Sequence, residues 1–131
     1  MDAVDARFGG IARLYGNDGL AKLRAAHVAV IGVGGVGSWS AEALARSGIG
    51  KLTLVDLDEV CITNTNRQIH ALEGSINKAK VSELALRIHR INPDCTVYAR
   101  TEFFTSQSAN SILSGGFDYL IDAIDGLTNK C

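Results

Sequence analysis

The spacing of apolar positions switches several times between a helical period and a strand period, which predicts an alternating α/β chain. Over residues 1–25, Phe8, Ile11, Leu14 and Tyr15 recur at helical spacing beside Arg7. Leu20 and Leu23 follow after a Gly16-Asn17-Asp18-Gly19 turn. The run HVAVI at 27–31 reads as a first strand and leads straight into Gly32-Val33-Gly34-Gly35-Val36-Gly37. A helical pattern over 38–46 ends at Ser47-Gly48, a C-terminal glycine signal. Residues 52–55 form a second strand ending at Asp56, and 56–70 are polar and irregular, with Asn64, Thr65 and Asn66 marking turns.

The pattern over 77–91 predicts a helix with Val81, Leu84, Ala85, Ile88 and Ile91 on one face. It must stop at Asn92-Pro93, because proline lacks the amide hydrogen and constrains the residue before it. A strand over 95–100, a short helix over 106–113 and a buried strand over 119–124, ending at Asp125, complete the chain. The order is a helical arm, then β-α-β, loop, α, β, α, β. Such alternation gives a mainly parallel sheet with helices on both faces. We expect one Rossmann-like domain, with an arm over 1–25 and a core over 26–131. The sequence stops where another helix is due, so the C-terminal part of the fold is expected to be missing.

The 131 residues are 47% hydrophobic and 21% charged, enough apolar content for one core. The net charge of -1 gives no bulk argument for nucleic acid or membrane. The acidic start is no signal peptide, and no apolar run reaches the roughly 20 residues of a membrane span. Cys61, Cys95 and Cys131 are scattered and form no CxxC pair or disulfide framework. A reducing cytoplasm is the default compartment.

The chemistry begins at the glycine loop. Gly32, Gly34 and Gly37 give G-x-G-x-x-G between a strand and a helix. Glycines permit the tight turn and let the backbone approach phosphates, while the helix start points free N–H groups at an anion. Asp56, 19 residues after Gly37 at the next strand end, suits the ribose hydroxyls. This predicts a nucleotide, and a dinucleotide fits it equally well.

The groups beyond the second strand separate the readings. Asp56 and Asp58 are followed by Asn64, Arg67 and Gln68, then Lys80, and later Asp122 and Asp125. Strand ends in an open α/β sheet converge on one crevice. Two cations and an acid there suit a triphosphate: attack of a carboxylate on an α-phosphate builds charge that Arg, Lys and Mg²⁺ stabilise. Each such contact contributes roughly 3–4 kcal/mol to lowering the barrier. Against this stand ordinary roles: a solvated loop cation for Arg67, a helix-surface lysine near Glu83 for Lys80, a core acid for Asp122, and a helix cap for Asp125. His27, His70 and His89 read as surface or satisfied histidines. Cys61 has no evident base beside it, which makes it an unpromising nucleophile.

The ordered set Gly32–Gly37, Asp56, Asn64-x-x-Arg67-Gln68, Lys80 and Asp125 resembles the ubiquitin-activating-like adenylating superfamily over nearly the whole chain. Three phrases look most similar to the bacterial tRNA threonylcarbamoyladenosine dehydratases: Arg7-Phe8-Gly9-Gly10 with Ala12-Arg13-Leu14-Tyr15-Gly16, the stretch from Asn64 to Leu72, and Ile121-Asp122-Ala123-Ile124-Asp125. Sulfur-carrier activators usually carry Asp-x-Thr-Asp-Asn at the last site, where this chain has Ala123-Ile124-Asp125-Gly126.

The resemblance implies ATP and Mg²⁺ as cofactors. Gly35 would pack against the nucleotide and Asp56 would bind ribose. Asn64, Arg67 and Lys80 would contact phosphates, and Asp125 would hold the metal. It further implies a homodimer whose partner helix supplies an arginine, Arg13 or Arg7. The substrate would be a tRNA with modified adenosine in its anticodon loop, with a sulfur-transfer protein as a further partner and no membrane. ATP would adenylate the threonyl carboxylate, and the side chain's own ureido group would displace AMP in closing a ring. The alternatives are an activator of a sulfur-carrier or ubiquitin-like protein, an NAD-binding oxidoreductase domain, and a nucleotide-binding module without catalysis.

Overall fold

The computed structural model describes residues 3–124. Four parallel strands form one sheet in the order β3-β2-β1-β4: β1 is His27–Ile31, β2 Lys51–Val55, β3 Thr96–Arg100 and β4 Tyr119–Asp122. The β-branched runs of β1 and β2 sit centrally and are buried on both faces, as parallel strands covered by helices must be. On one face Val28, Val30, Leu52 and Leu54 pack against α2 (Gly37–Arg46) and α3 (Lys80–Ile91) through Ala41, Ala45, Val81, Leu84 and Ile88. On the other, Ala29, Ile31 and Val55 meet Ile112 of the short α4 (Ala109–Leu113), with Phe104 and Phe117 alongside.

The amino-terminal helix α1 (Ala3–Ala25) is broken at Phe8 and at Gly16, whose φ of 79° is the left-handed conformation expected of that turn. Phe8 and Leu20 of α1 bury themselves beside Gly48, and Arg24 lies against Gly50. Both contacts are with the turn between α2 and β2. The arm therefore covers the amino-terminal edge of the sheet.

Three expectations need correction. The helix foreseen from Asn77 starts at Lys80, because Asn77 has φ 69° and its N–H is spent on the Val60 carbonyl, while Val60 N–H donates to Lys78 O. The helix foreseen over 106–113 is confined to Ala109–Leu113, preceded by a turn over 106–108 across which Thr105 and Ser108 exchange side-chain-to-backbone bonds. The last strand was foreseen as buried. Within the described residues β4 is an edge strand paired only with β1, leaving Tyr119 70% and Leu120 40% exposed. A continuous apolar run marks a strand but does not say how many neighbours it has.

Candidate functional site

The first turn after β1 can be followed atom by atom. Gly32 has φ 89°, and a Cβ there would lie 2.8 Å from the Ala123 carbonyl oxygen. At Gly37 a Cβ would fall 1.7 Å from the Gly32 carbonyl oxygen. Both glycines are therefore demanded by close backbone approach. Asp56 at the end of β2 reaches across: Val33 N–H donates to its Oδ2 at 2.9 Å, and Asp58 N–H to its Oδ1 at 2.9 Å. Each carboxylate oxygen retains a lone pair for a further donor. Ser38 hydroxyl donates to the Gly34 carbonyl. Among the described residues no acceptor takes the N–H groups of Gly34, Gly35 or Val36, which precede α2. These groups at a helix start form an anion cradle.

The polar segment after β2 folds onto this loop. A Cβ on Gly35 would meet Arg67 Cγ at 3.5 Å and Cδ at 3.7 Å, and one on Gly34 would meet Gln68 Nε2 at 3.4 Å. Trp39 Nε1–H donates to the Arg67 carbonyl at 2.8 Å, and Ile69 N–H to Ser38 Oγ at 3.4 Å. Arg67 itself is exposed, and its Nη1 donates to Thr63 O at 3.1 Å and to Asn66 Oδ1 at 3.0 Å. Lys80, for which a helix-surface lysine near Glu83 is the ordinary alternative, is instead 5% exposed at the start of that helix. Asp58, Asn64, Arg67, Gln68 and Lys80 line one cavity of about 330 Å³. Glu59 lines the same cavity, so two acids and two cations border it, and among the described residues no carboxylate lies within 4 Å of the Arg67 or Lys80 charge.

The sequence-predicted residues thus divide. Gly32, Gly34, Gly35, Gly37, Asp56, Arg67 and Gln68 meet at the loop, and Asp58, Asn64 and Lys80 join Arg67 and Gln68 around the adjoining cavity. Asn64 also has a local duty, since its Oδ1 accepts the Cys61 N–H at 2.8 Å. Asp125 lies outside the described residues. Asp122 is exposed rather than a core acid, and its Oδ1 accepts the Ile124 N–H at 3.2 Å.

Arg13 is not brought to its own loop. It folds back over Gly9 and Gly10 on α1, at the far end of strands that span about 16 Å. Arg7 is likewise engaged there, donating to Ile91 O at 2.9 Å. Among the described residues no group of three His, Cys, Asp or Glu side chains could hold a metal. Cys61 is buried, with its sulfur 3.1 Å from Thr63 Oγ1. No described helix is long and apolar enough to cross a membrane.

The sequence reads His70 as a surface or satisfied histidine and does not single out Ser38 or Trp39. His70 is 1% exposed, and its Nε2–H donates to the Val33 carbonyl at 2.7 Å. Burial pushes its pKa below 6.5, aided by nearby Lys80 and opposed by the Val33 bond and by Asp56 and Glu83. The signal available was position: Ser38 and Trp39 open the helix behind the loop, and His70 stands two residues after Gln68.

A parallel sheet with a glycine loop at the carboxyl end of its first strand, opening a helix, defines a Rossmann-like nucleotide-binding fold. The chain belongs to the ThiF family, whose model matches residues 9–130. It is similar to the tRNA threonylcarbamoyladenosine dehydratase of Haemophilus influenzae, 52% identical over 130 residues that make up 99% of this chain and 50% of that protein. The Escherichia coli protein of the same name is 53% identical, over 98% of this chain and 48% of the relative. A crystal structure of the Escherichia coli dehydratase in complex with ATP superposes with a TM-score of 0.94 at 53% identity, covering 97% of this chain and 52% of that one. The chain therefore spans about half the length of these relatives.

Proposed function

We propose that this chain is the ATP-binding half of a cytoplasmic tRNA threonylcarbamoyladenosine dehydratase. In this reading it adenylates the threonyl carboxylate of the modified adenosine, and the ureido group then closes the ring with loss of AMP. The observation that carries the reading is the packing of Arg67 against Gly35, with Lys80 buried on the same cavity. A dinucleotide enzyme has no need of an arginine and a buried lysine there.

The residues fit ATP. Gly35 keeps open a space that a side chain would fill, and the N–H groups of Gly34, Gly35 and Val36 have no acceptor among the described residues. Gln68 brings its amide nitrogen to the same loop, with Nε2 3.4 Å from where a Cβ on Gly34 would lie, a donor suited to phosphate. In this reading Gly32 and Gly37 shape the turn, and Asp56 holds ribose with Asp58 beside it. Asn64, Arg67, Gln68 and Lys80 bind the phosphates. Arg67 and Lys80 offset charge that develops on the reacting phosphorus centre. Asp125 would hold Mg²⁺, which when bound supplies further charge neutralisation. Because Arg13 stands at the opposite sheet edge, its contribution would come from a second copy of the chain in a homodimer.

The test is ATP–pyrophosphate exchange driven by threonylcarbamoylated tRNA in the full-length protein. Arg67→Ala and Lys80→Ala are each expected to slow exchange by about 10²–10³-fold with the fold retained. Undiminished exchange in both removes the site assignment. Exchange driven instead by a protein ending in Gly-Gly moves the substrate to a carrier protein, the family's other chemistry.

A further inference from the structure

Val33 is held at both ends of its peptide units. Its N–H is taken by Asp56 and its carbonyl by His70, while Ser38 takes the next carbonyl, that of Gly34. Both carbonyls are thereby occupied, while the N–H groups of Gly34, Gly35 and Val36 take no acceptor among the described residues. The segment that carries Arg67 is latched to the same unit by Trp39 on Arg67 O and by Ser38 on Ile69 N–H.

We infer that His70 and Trp39 are positioning residues: His70 fixes the glycine loop so that its N–H groups face phosphate, and Trp39 fixes Arg67 above it. This rests on the ATP reading of the same site. A carbonyl can only accept, so His70 Nε2 must carry the proton, and Nδ1 is the bare acceptor. That Nδ1 is buried without a partner among the described residues, so the histidine is kept for the one bond it makes and not for a network of its own. A carbonyl released from His70 would be free to rotate toward the phosphates, where its negative end repels them. Trp39 tells the same story from the surface: 54% of it is exposed, yet its one polar atom is spent on the backbone of Arg67. An exposed tryptophan with its N–H committed in this way acts as a strut, and Trp39→Phe tests it without disturbing the core.

The experiment measures the ATP dissociation constant and the KM for ATP in the full chain, with thermal unfolding alongside. His70→Leu fills the space without a donor, whereas His70→Gln returns an N–H near the Nε2 position. The expectation is that His70→Leu weakens ATP binding about tenfold, the worth of one net hydrogen bond. His70→Gln should stay within about threefold of wild type even where its melting temperature is the lower of the two. Trp39→Phe should lower kcat about tenfold with a smaller rise in KM for ATP, since Arg67 both binds the phosphates and offsets charge in the transition state. His70→Leu binding ATP as wild type does, or His70→Gln failing as badly as His70→Leu, overturns the role of His70. A Trp39→Phe variant with wild-type kcat overturns that of Trp39. A wild-type chain that binds no ATP sinks the ATP reading itself, and the inference with it.

Discussion

Placing a single methyl at two glycines of the loop should separate fold from function. At Gly37 a Cβ would lie 1.7 Å from Gly32 O and 2.8 Å from Gly32 C, with Ala123 Cβ at 3.2 Å. The obstacle is backbone at the end of the central strand, so relief requires β1 and α2 to move apart by more than an ångström. Overpacking of this severity lies at or beyond the usual range, about 3–5 kcal/mol. At about 3 °C per kcal/mol for a domain of this size, Gly37→Ala should melt about 10–15 °C lower.

At Gly35 the nearest atoms are Arg67 Cγ at 3.5 Å and Cδ at 3.7 Å, ordinary contacts with a flexible side chain, and φ is not in the left-handed region. Gly35→Ala should therefore fold as well as wild type, or gain about 0.5 kcal/mol from a stiffer unfolded chain. The same methyl projects into the cradle and should weaken ATP at least tenfold. Differential scanning calorimetry and titration calorimetry read the two quantities. A Gly37→Ala melting within 2–3 °C of wild type would refute the steric argument. A Gly35→Ala that binds ATP normally would refute the placing of phosphate against that glycine.

Three further outcomes follow from the same structure. His27 and His70 both have pKa values lowered below 6.5, chiefly by burial, so the unfolded chain binds more protons than the folded one below that pH. Stability should be fully present above about pH 6.5 and decline as pH falls through the folded values. Urea midpoints at pH 7.5 and 5.5 check this, and His70→Gln should flatten the difference. Glu42 carries a burial penalty that raises its pKa, but Arg87 and Arg46 together hold it below 4.5. Its stabilisation is present above pH 4.5 and lost below, and Glu42→Ala should cost about 1–3 kcal/mol at pH 7 in denaturant titrations. Burial raises the Cys95 thiol to about 11. Iodoacetamide at pH 8 should modify it only at the rate of unfolding, and rapid labelling in native buffer would contradict its burial.

The parts of the fold legible in the sequence are those where one residue type has only one physical use. The run HVAVI gave β1 to the residue, and Gly16 and Gly32 stood where a left-handed backbone is needed. The amphipathic face of 81–91 and the stop at Asn92-Pro93 fixed most of α3. What periodicity cannot carry is pairing. Nothing in 119–124 says that β4 has one neighbour instead of two among the described residues, and nothing in Asn77 says that its N–H is already committed to Val60. Arg67 and Gln68 were predictable as residue types at a crevice, because charge and spacing are sequence properties. His70 was not, because its importance lies in a bond to a carbonyl 37 residues away.

That difference marks where sequence reasoning about this site should be trusted. The groups that touch a ligand announce themselves by chemistry: a cation for phosphate, an acid for ribose, a glycine for close approach. The groups that aim them are ordinary residues whose role is set by a contact. In this chain the two sets interleave within seven residues, with Asn64, Arg67 and Gln68 facing the cavity and Ile69 and His70 turned back to the loop. A short irregular segment between a strand and a helix can do both only if its backbone is fixed on one side. The bonds from Trp39, Ser38 and His70 supply that side. Losing them would leave Arg67 with its charge and deprive it of its address.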